Sequence, residues 1–160
     1  LEGMQNYGLS ASECEKRIDT LLEWIGMDRS VLSRYPHQFS GGQRQRLCIA
    51  RALVLEPDIL VADEAVSALD VSVQAQVLKL LDELRQRIGI AVLFITHDLR
   101  VAAQICDQII VMQRGTVVEA GPTEQVLVNP QHDYTRSLID AAPGRHWDFQ
   151  HFRPLEAAIH

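Results

Sequence analysis

Basic charge is in short supply in this chain. Its 15 lysines and arginines are outnumbered by 21 aspartates and glutamates, for a net charge of −6. A protein that grips a phosphate backbone needs a cationic excess or patch, so nucleic acid is not an expected partner. Cysteine is also scarce. Cys14, Cys48 and Cys106 are odd in number, far apart and set in helix-like sequence, which fits reduced thiols and not a disulfide framework. Long apolar runs are missing too: Ile90 to Ile95 is the longest, against the roughly 20 residues of a membrane-spanning helix. No charged segment followed by an apolar one opens the sequence in the manner of a secretory leader. Internal repeats and low-complexity tracts are absent. What remains, 47% hydrophobic and 22% charged over 160 residues, is ordinary globular composition with enough chain for one sizeable core.

Polar chemistry is concentrated in a few places. Phe39-Ser40-Gly41-Gly42-Gln43 offers a hydroxyl, two glycine backbones and an amide just ahead of the helix-like stretch Arg44 to Leu53, where exposed N–H groups and the helix dipole favour an anion. Taken alone, the same residues read equally as a glycine-rich turn that caps a helix. Further on, the apolar run Ile59-Leu60-Val61-Ala62 delivers two adjacent acids, Asp63 and Glu64. One suits Mg²⁺, the other an attacking water, although acids in such a place also complement a helix N-terminus. Asp70 follows, and a second apolar run, Ile90 to Ile95, leads into Thr96-His97-Asp98. The other histidines, His37, His132, His146, His151 and His160, have neither paired helical spacing nor nearby cysteines and are expected at the surface.

Periodicity supplies a frame. Ser10 and Glu13 form a capping-box pattern ahead of Ile18, Leu21, Leu22 and Ile25, which predicts a helix ending at Gly26. The run Ile59 to Ala62 predicts a strand buried on both faces, started by Pro57-Asp58. Val73, Val77, Leu80, Leu81, Leu84 and Ile88 predict a long amphipathic helix stopped by Gly89, and Ile90 to Ile95 a second strand. The result is a βαβ unit with a right-handed crossover and its chemistry at the carboxyl edge. Ile109 to Met112 and Thr116 to Glu119 flank Gln113-Arg114-Gly115 as a hairpin outside the parallel core. Short helices are expected around Thr123 to Val128 and from Tyr134 to Ala142, and an extended or partly disordered tail from Gly144 to His160. Arg44, Arg46 and Arg51 read as a solvated helix face with no assigned role.

In this order, Phe39 to Arg46, the strand ending in Asp63-Glu64, Ser67-Ala68-Leu69-Asp70 and Thr96-His97-Asp98 resemble the ATP-binding cassette (ABC) ATPases. The resemblance implies that Ser40, Gly41, Gly42 and Gln43 are the signature motif that meets ATP, that Asp63 is the Walker B aspartate near Mg²⁺, and that Glu64 is the catalytic glutamate. It implies that Ser67 to Asp70 form the D-loop and that His97 is the switch histidine. Tyr35-Pro36-His37-Gln38 and Asn129 to Leu138 are similar to the dipeptide and oligopeptide importer branch. The implied fold is α/β: a P-loop NTPase-like parallel sheet with flanking helices, incomplete, plus part of the helical signature subdomain and a C-terminal hairpin and helices. The implied division is 1–52 for the helical part with the signature, 53–143 for the ATPase core with hairpin and helices, and 144–160 for the tail.

Two departures stand out. Ala65-Val66 replaces the Pro-Thr that most of the family carries after the catalytic glutamate, as the peptide-importer branch also does, and the acids are untouched. No Gly-x-x-x-x-Gly-Lys-Ser/Thr occurs anywhere, so the loop and lysine that hold the β- and γ-phosphates are absent from these residues. Neither a glutamine loop nor an adenine-stacking aromatic is identifiable, and Leu1 is not methionine. The expectation is therefore the C-terminal part of a longer polypeptide. After Cys106 no cysteine follows, so the iron–sulfur tail of some peptide-importer ATPases is not expected. The implied function is the ATP-hydrolysing subunit of a peptide-type importer, peripheral on the cytoplasmic face of the membrane, paired with a second ATP-binding subunit and with transmembrane permease subunits. A soluble repair or translation ATPase would bring coiled-coil heptads or tandem cassettes, and neither is present. An inert partial domain is the remaining alternative, supported by the missing phosphate loop.

Overall fold

The computed structural model describes Met4 and residues 8–142. The expected tail, Gly144 to His160, and its histidines His146, His151 and His160 lie outside the described residues. The chain divides into two compact units, Leu1–Leu93 and Phe94–His160.

The first unit opens with α1, Ala11–Trp24. The Ser10 hydroxyl accepts from the Glu13 N–H while the Glu13 carboxylate accepts from the Ser10 N–H, so the predicted capping box is formed. Two short 3₁₀ turns, Arg29–Ser33 and Pro36–Gln38, lead to α2, Gly41–Leu53. Strand β1, Ile59–Asp63, and the long helix α3, Val71–Ile88, follow. Gly89 stops α3 in the left-handed conformation at φ 74°, as its position predicts, with its N–H on the Arg85 carbonyl. Helix α2 packs on both α1 and α3. Ile25, Leu53, Val77, Leu78 and Leu84 are fully or almost fully buried there, each contributing about 1.5–3 kcal/mol by leaving water.

Strand β2, Ala91–Ile95, pairs with β1 in a two-stranded parallel sheet, and the Ala91 N–H donates to the Asp58 carbonyl at its start. The expectation that the β1 run is buried on both faces is not met. Leu60 and Ala62 are buried, but Ile59 is 62% and Val61 57% exposed, and Leu93 and Ile95 of β2 are exposed as well. A strand alternates its side chains between two faces, and among the described residues only one of those faces is covered.

In the second unit, Asp98 caps α4, Leu99–Ile105, a helix the periodicity did not single out. Its signal was an Asp cap before Val101 and Ala102, easily lost in seven residues. Strands β3, Gln108–Gln113, and β4, Thr116–Pro122, form the expected antiparallel hairpin in a sheet of their own. Arg114 and Gly115 both take positive φ, 51° and 81°, the conformation of the tight turn that matches strand twist. Helices α5, Thr123–Val128, and α6, Asp133–Ala141, match the expectation to within a residue. Ala102, Ile109, Val111, Val126 and Leu127 form this unit's core. The Glu119 carboxylate accepts from the N–H groups of Gln131 (2.8 Å) and His132 (3.1 Å) and pins the loop before α6 to β4.

Candidate nucleotide site

The start of α2 is built by its own first turn. Ser40 is the N-cap; its Oγ accepts from the Gln43 N–H at 3.2 Å, and Gln43 Oε1 accepts from the Ser40 N–H at 3.0 Å. The capping reading of these residues is therefore realised. It leaves the Ser40 hydroxyl hydrogen and the exposed helix start available to an anion, because a hydroxyl both accepts and donates.

The glycines are there for contact. A Cβ on Gly41 would lie 3.3 Å from Leu69 Cδ2, and one on Gly42 only 2.5 Å from Val73 Cγ1. Leu69 belongs to the turn after the acids and Val73 to the first turn of α3, so the glycine turn and the acidic loop are packed against one another. Asp70 is the N-cap of α3: its Oδ1 accepts from the Val73 N–H (3.0 Å) and the Ser72 hydroxyl (2.8 Å). These bonds, the Val73 N–H first, hold its carboxyl below the ordinary carboxylate range.

Asp63 ends β1 and is exposed. Glu64 is exposed too, and its backbone is left-handed at φ 48°, a conformation that costs a non-glycine residue energy and concentrates at functional positions. The Glu64 carbonyl accepts from both the N–H (3.2 Å) and the hydroxyl (2.9 Å) of Ser67, which fixes the turn. Val66, at the departure from Pro-Thr, is buried as an anchor. Both side chains are carboxylates, the hard oxygen ligand type that Mg²⁺ takes, but among the described residues no group of three or more histidines, cysteines, aspartates or glutamates is placed to hold a metal ion.

His97 belongs to the second unit. It is exposed, between β2 and α4. The flanking Thr96 Oγ1 accepts from the Asp98 N–H at 3.0 Å, and Asp98 caps α4 while pairing with Arg100 at 2.7 Å.

Of the three arginines expected on a solvated face of α2, Arg44 and Arg51 are exposed, and Arg46, half-buried, departs from the expectation. Arg44 donates to the Phe39 carbonyl at 2.9 Å. Arg46 donates to the Ile25 carbonyl at the end of α1 (3.2 Å) and to Gln76 of α3 (3.3 Å), tying three helices together. Spacing along one helix carried no trace of this, since both partners are distant in sequence.

Comparison with known proteins agrees with these elements. Residues 2–67 match the ABC transporter family. The chain is 51% identical over 138 residues to the dipeptide transport ATP-binding protein DppF of Haemophilus influenzae, which covers 86% of this chain and 42% of that protein. It is 54% identical over 131 residues to the glutathione import ATP-binding protein GsiA of Pectobacterium atrosepticum, covering 82% of this chain and 21% of that one. Among solved structures, cbiO1 of Clostridium perfringens, part of the ABC transporter complex cbiONQ, superposes with a TM-score of 0.71 at 34% identity, covering 79% of this chain and 50% of that one. The chain thus spans less than half the length of these curated relatives. With the glycine turn, the paired acids and the capped loop after them in the family's order, the chain is similar to ATP-binding proteins of the ABC transporter family over the part of their length that it spans.

Proposed function

We propose that these residues are the signature-to-switch portion of an ATP-hydrolysing subunit of an ABC importer, with peptides as its solute. The observation that carries the reading is the packing of Gly41 and Gly42 on Leu69 and Val73, which couples an anion-receiving turn to the loop that begins at Asp63 and Glu64. The names of the relatives, dipeptide transport and glutathione import ATP-binding proteins, support the solute class.

In this reading the phosphate loop comes from outside these 160 residues. Asp63 holds Mg²⁺, directly or through water, and the metal neutralises charge on the phosphates. Glu64 orients the attacking water or takes its proton, and His97 senses the γ-phosphate. Ser40 and the backbone of Gly41, Gly42 and Gln43 receive a nucleotide held by a second ATP-binding subunit, and Asp70 keeps the intervening loop in shape. Closure of the pair around nucleotide drives transmembrane permease partners, with the subunit peripheral on the cytoplasmic face of the membrane. Within it, residues 1–52 form the helical part, 53–143 the ATPase core and 144–160 a tail.

The test is Ser40→Arg in the full-length protein, in a hydrolysis-deficient background. Bulk and charge at the turn are expected to block ATP-induced dimerisation, read by size-exclusion chromatography, with folding intact. Dimers forming as well as in the parent would make the glycine turn purely structural.

A further inference from the structure

We propose that Tyr35 and His37 form a stacking platform for the base of the nucleotide whose terminal phosphate meets Ser40 to Gln43. The proposal rests on the reading above and extends it to residues with no role there.

The two rings are stacked, with centroids 5.8 Å apart and planes within 8° of parallel. They are not packed into a core: Tyr35 is 68% exposed, and His37 is exposed beside it. Among the described residues neither ring makes a hydrogen bond. A large aromatic pair on water with its polar atoms unused has a face to offer.

The pair is held in position by its own turn. Pro36, between the two residues in sequence, has its φ fixed by its own ring. Gln38 Oε1 accepts from the Tyr35 N–H at 2.7 Å, and the Gln38 N–H returns to the Tyr35 carbonyl at 2.9 Å. Arg34 donates to the Gln38 carbonyl and lays its guanidinium over the buried Phe39 ring, 4.5 Å from the centroid. Phe39 in turn precedes Ser40, so the platform and the anion-receiving turn share one rigid segment. Preorganised aromatic faces bind at low entropic cost.

Reach agrees. Tyr35 stands five positions before Ser40; the turn at Pro36–Gln38 keeps the backbone span below the extended limit of roughly 17 Å, and the length of the Tyr35 side chain adds to it, so that its ring and Ser40 are separated on the scale of a nucleoside triphosphate. A terminal phosphate at Ser40 therefore leaves its base within reach of Tyr35. Stacking is tolerant of base identity because every base presents a π-face, so the platform adds affinity with little discrimination. Because it lies beside the signature turn, it serves the nucleotide held by the opposite subunit.

The experiment uses the full-length protein in a Glu64→Gln background and follows ATP-driven dimerisation by analytical ultracentrifugation as ATP is varied. Melting temperature is recorded for each variant. Tyr35→Ala is expected to raise the ATP concentration at half-dimerisation on the order of ten-fold, with its melting temperature unchanged, and Tyr35→Phe to restore the parent value. An unchanged half-point in Tyr35→Ala overturns the platform. So does a shift that comes with a lowered melting temperature or is not rescued by Tyr35→Phe, because the stack then only supports the turn. Ser40→Arg separates the two readings: if it still dimerises, the function proposed above has failed. If it blocks dimers while Tyr35→Ala is silent, only the platform falls.

Discussion

Gly42 and Val73 meet with no space between them: a Cβ on Gly42 would stand 2.5 Å from Val73 Cγ1. The helix begun by the Ser40 glycine turn and the helix begun by Asp70 therefore touch backbone to side chain. Glycine in the middle of a helix costs about 0.5–1 kcal/mol relative to alanine, and Gly42, in the first turn, carries part of that cost. The contact explains why it is there.

Gly42→Ala is expected to destabilise the protein by about 1–3 kcal/mol through overpacking, with loss of ATP-driven dimerisation as the turn shifts. In a Val73→Ala background the clash is gone, and the same substitution becomes neutral or stabilising by about 0.4–1 kcal/mol. Thermal melts of the four proteins of this cycle decide it. Equal effects of Gly42→Ala in both backgrounds would refute the contact.

Under the proposed function, Glu64→Gln in the full-length protein should leave ATP binding intact and cut steady-state hydrolysis by on the order of 10²-fold or more, since only the carboxylate assigned there to the attacking water is lost. Hydrolysis within a few-fold of the parent would remove Glu64 from the mechanism. Asp63→Asn should instead weaken Mg·ATP binding, seen as a raised Mg²⁺ requirement.

The 160 residues alone are expected neither to bind ATP tightly nor to hydrolyse it. Positioning dominates phosphoryl transfer, and the loop that positions the β- and γ-phosphates is absent from the sequence. The exposed Ile59, Val61, Leu93 and Ile95 side chains should also make the isolated chain prone to aggregate. Isothermal titration with Mg·ATP on soluble monomer settles it; micromolar binding would reveal a nucleotide site of a different construction.

Acid should loosen the second unit. Asp98 is held below its ordinary value of 3.8, chiefly by the Arg100 side chain, and Glu119 below 4.5, chiefly by the Gln131 N–H. A depressed folded-state pKa stabilises fully above the unfolded value and is lost as pH falls through the folded one. Circular dichroism is therefore expected to report a loss of structure that sets in below about pH 4.5. Glu119→Gln should flatten that pH dependence, and an unchanged profile would show that the two carboxylates carry no linked stability.

Much of this protein was determined by its sequence alone, where the causes are local. The Ser10–Glu13 box, the Gly89 stop and the Arg114-Gly115 turn, and each of the glycine turn, the paired acids and Thr96-His97-Asp98 taken by itself, rest on residues a few positions apart, and local sequence carries such information directly. Tertiary structure decided what depends on distant partners. It put Val73 against Gly42, gave Arg46 its carbonyl on α1, turned Glu64 left-handed and left one face of an apolar strand on water. A strand's sequence states that its side chains are apolar, but whether each face is covered depends on which other elements reach it, and that information lies elsewhere in the chain.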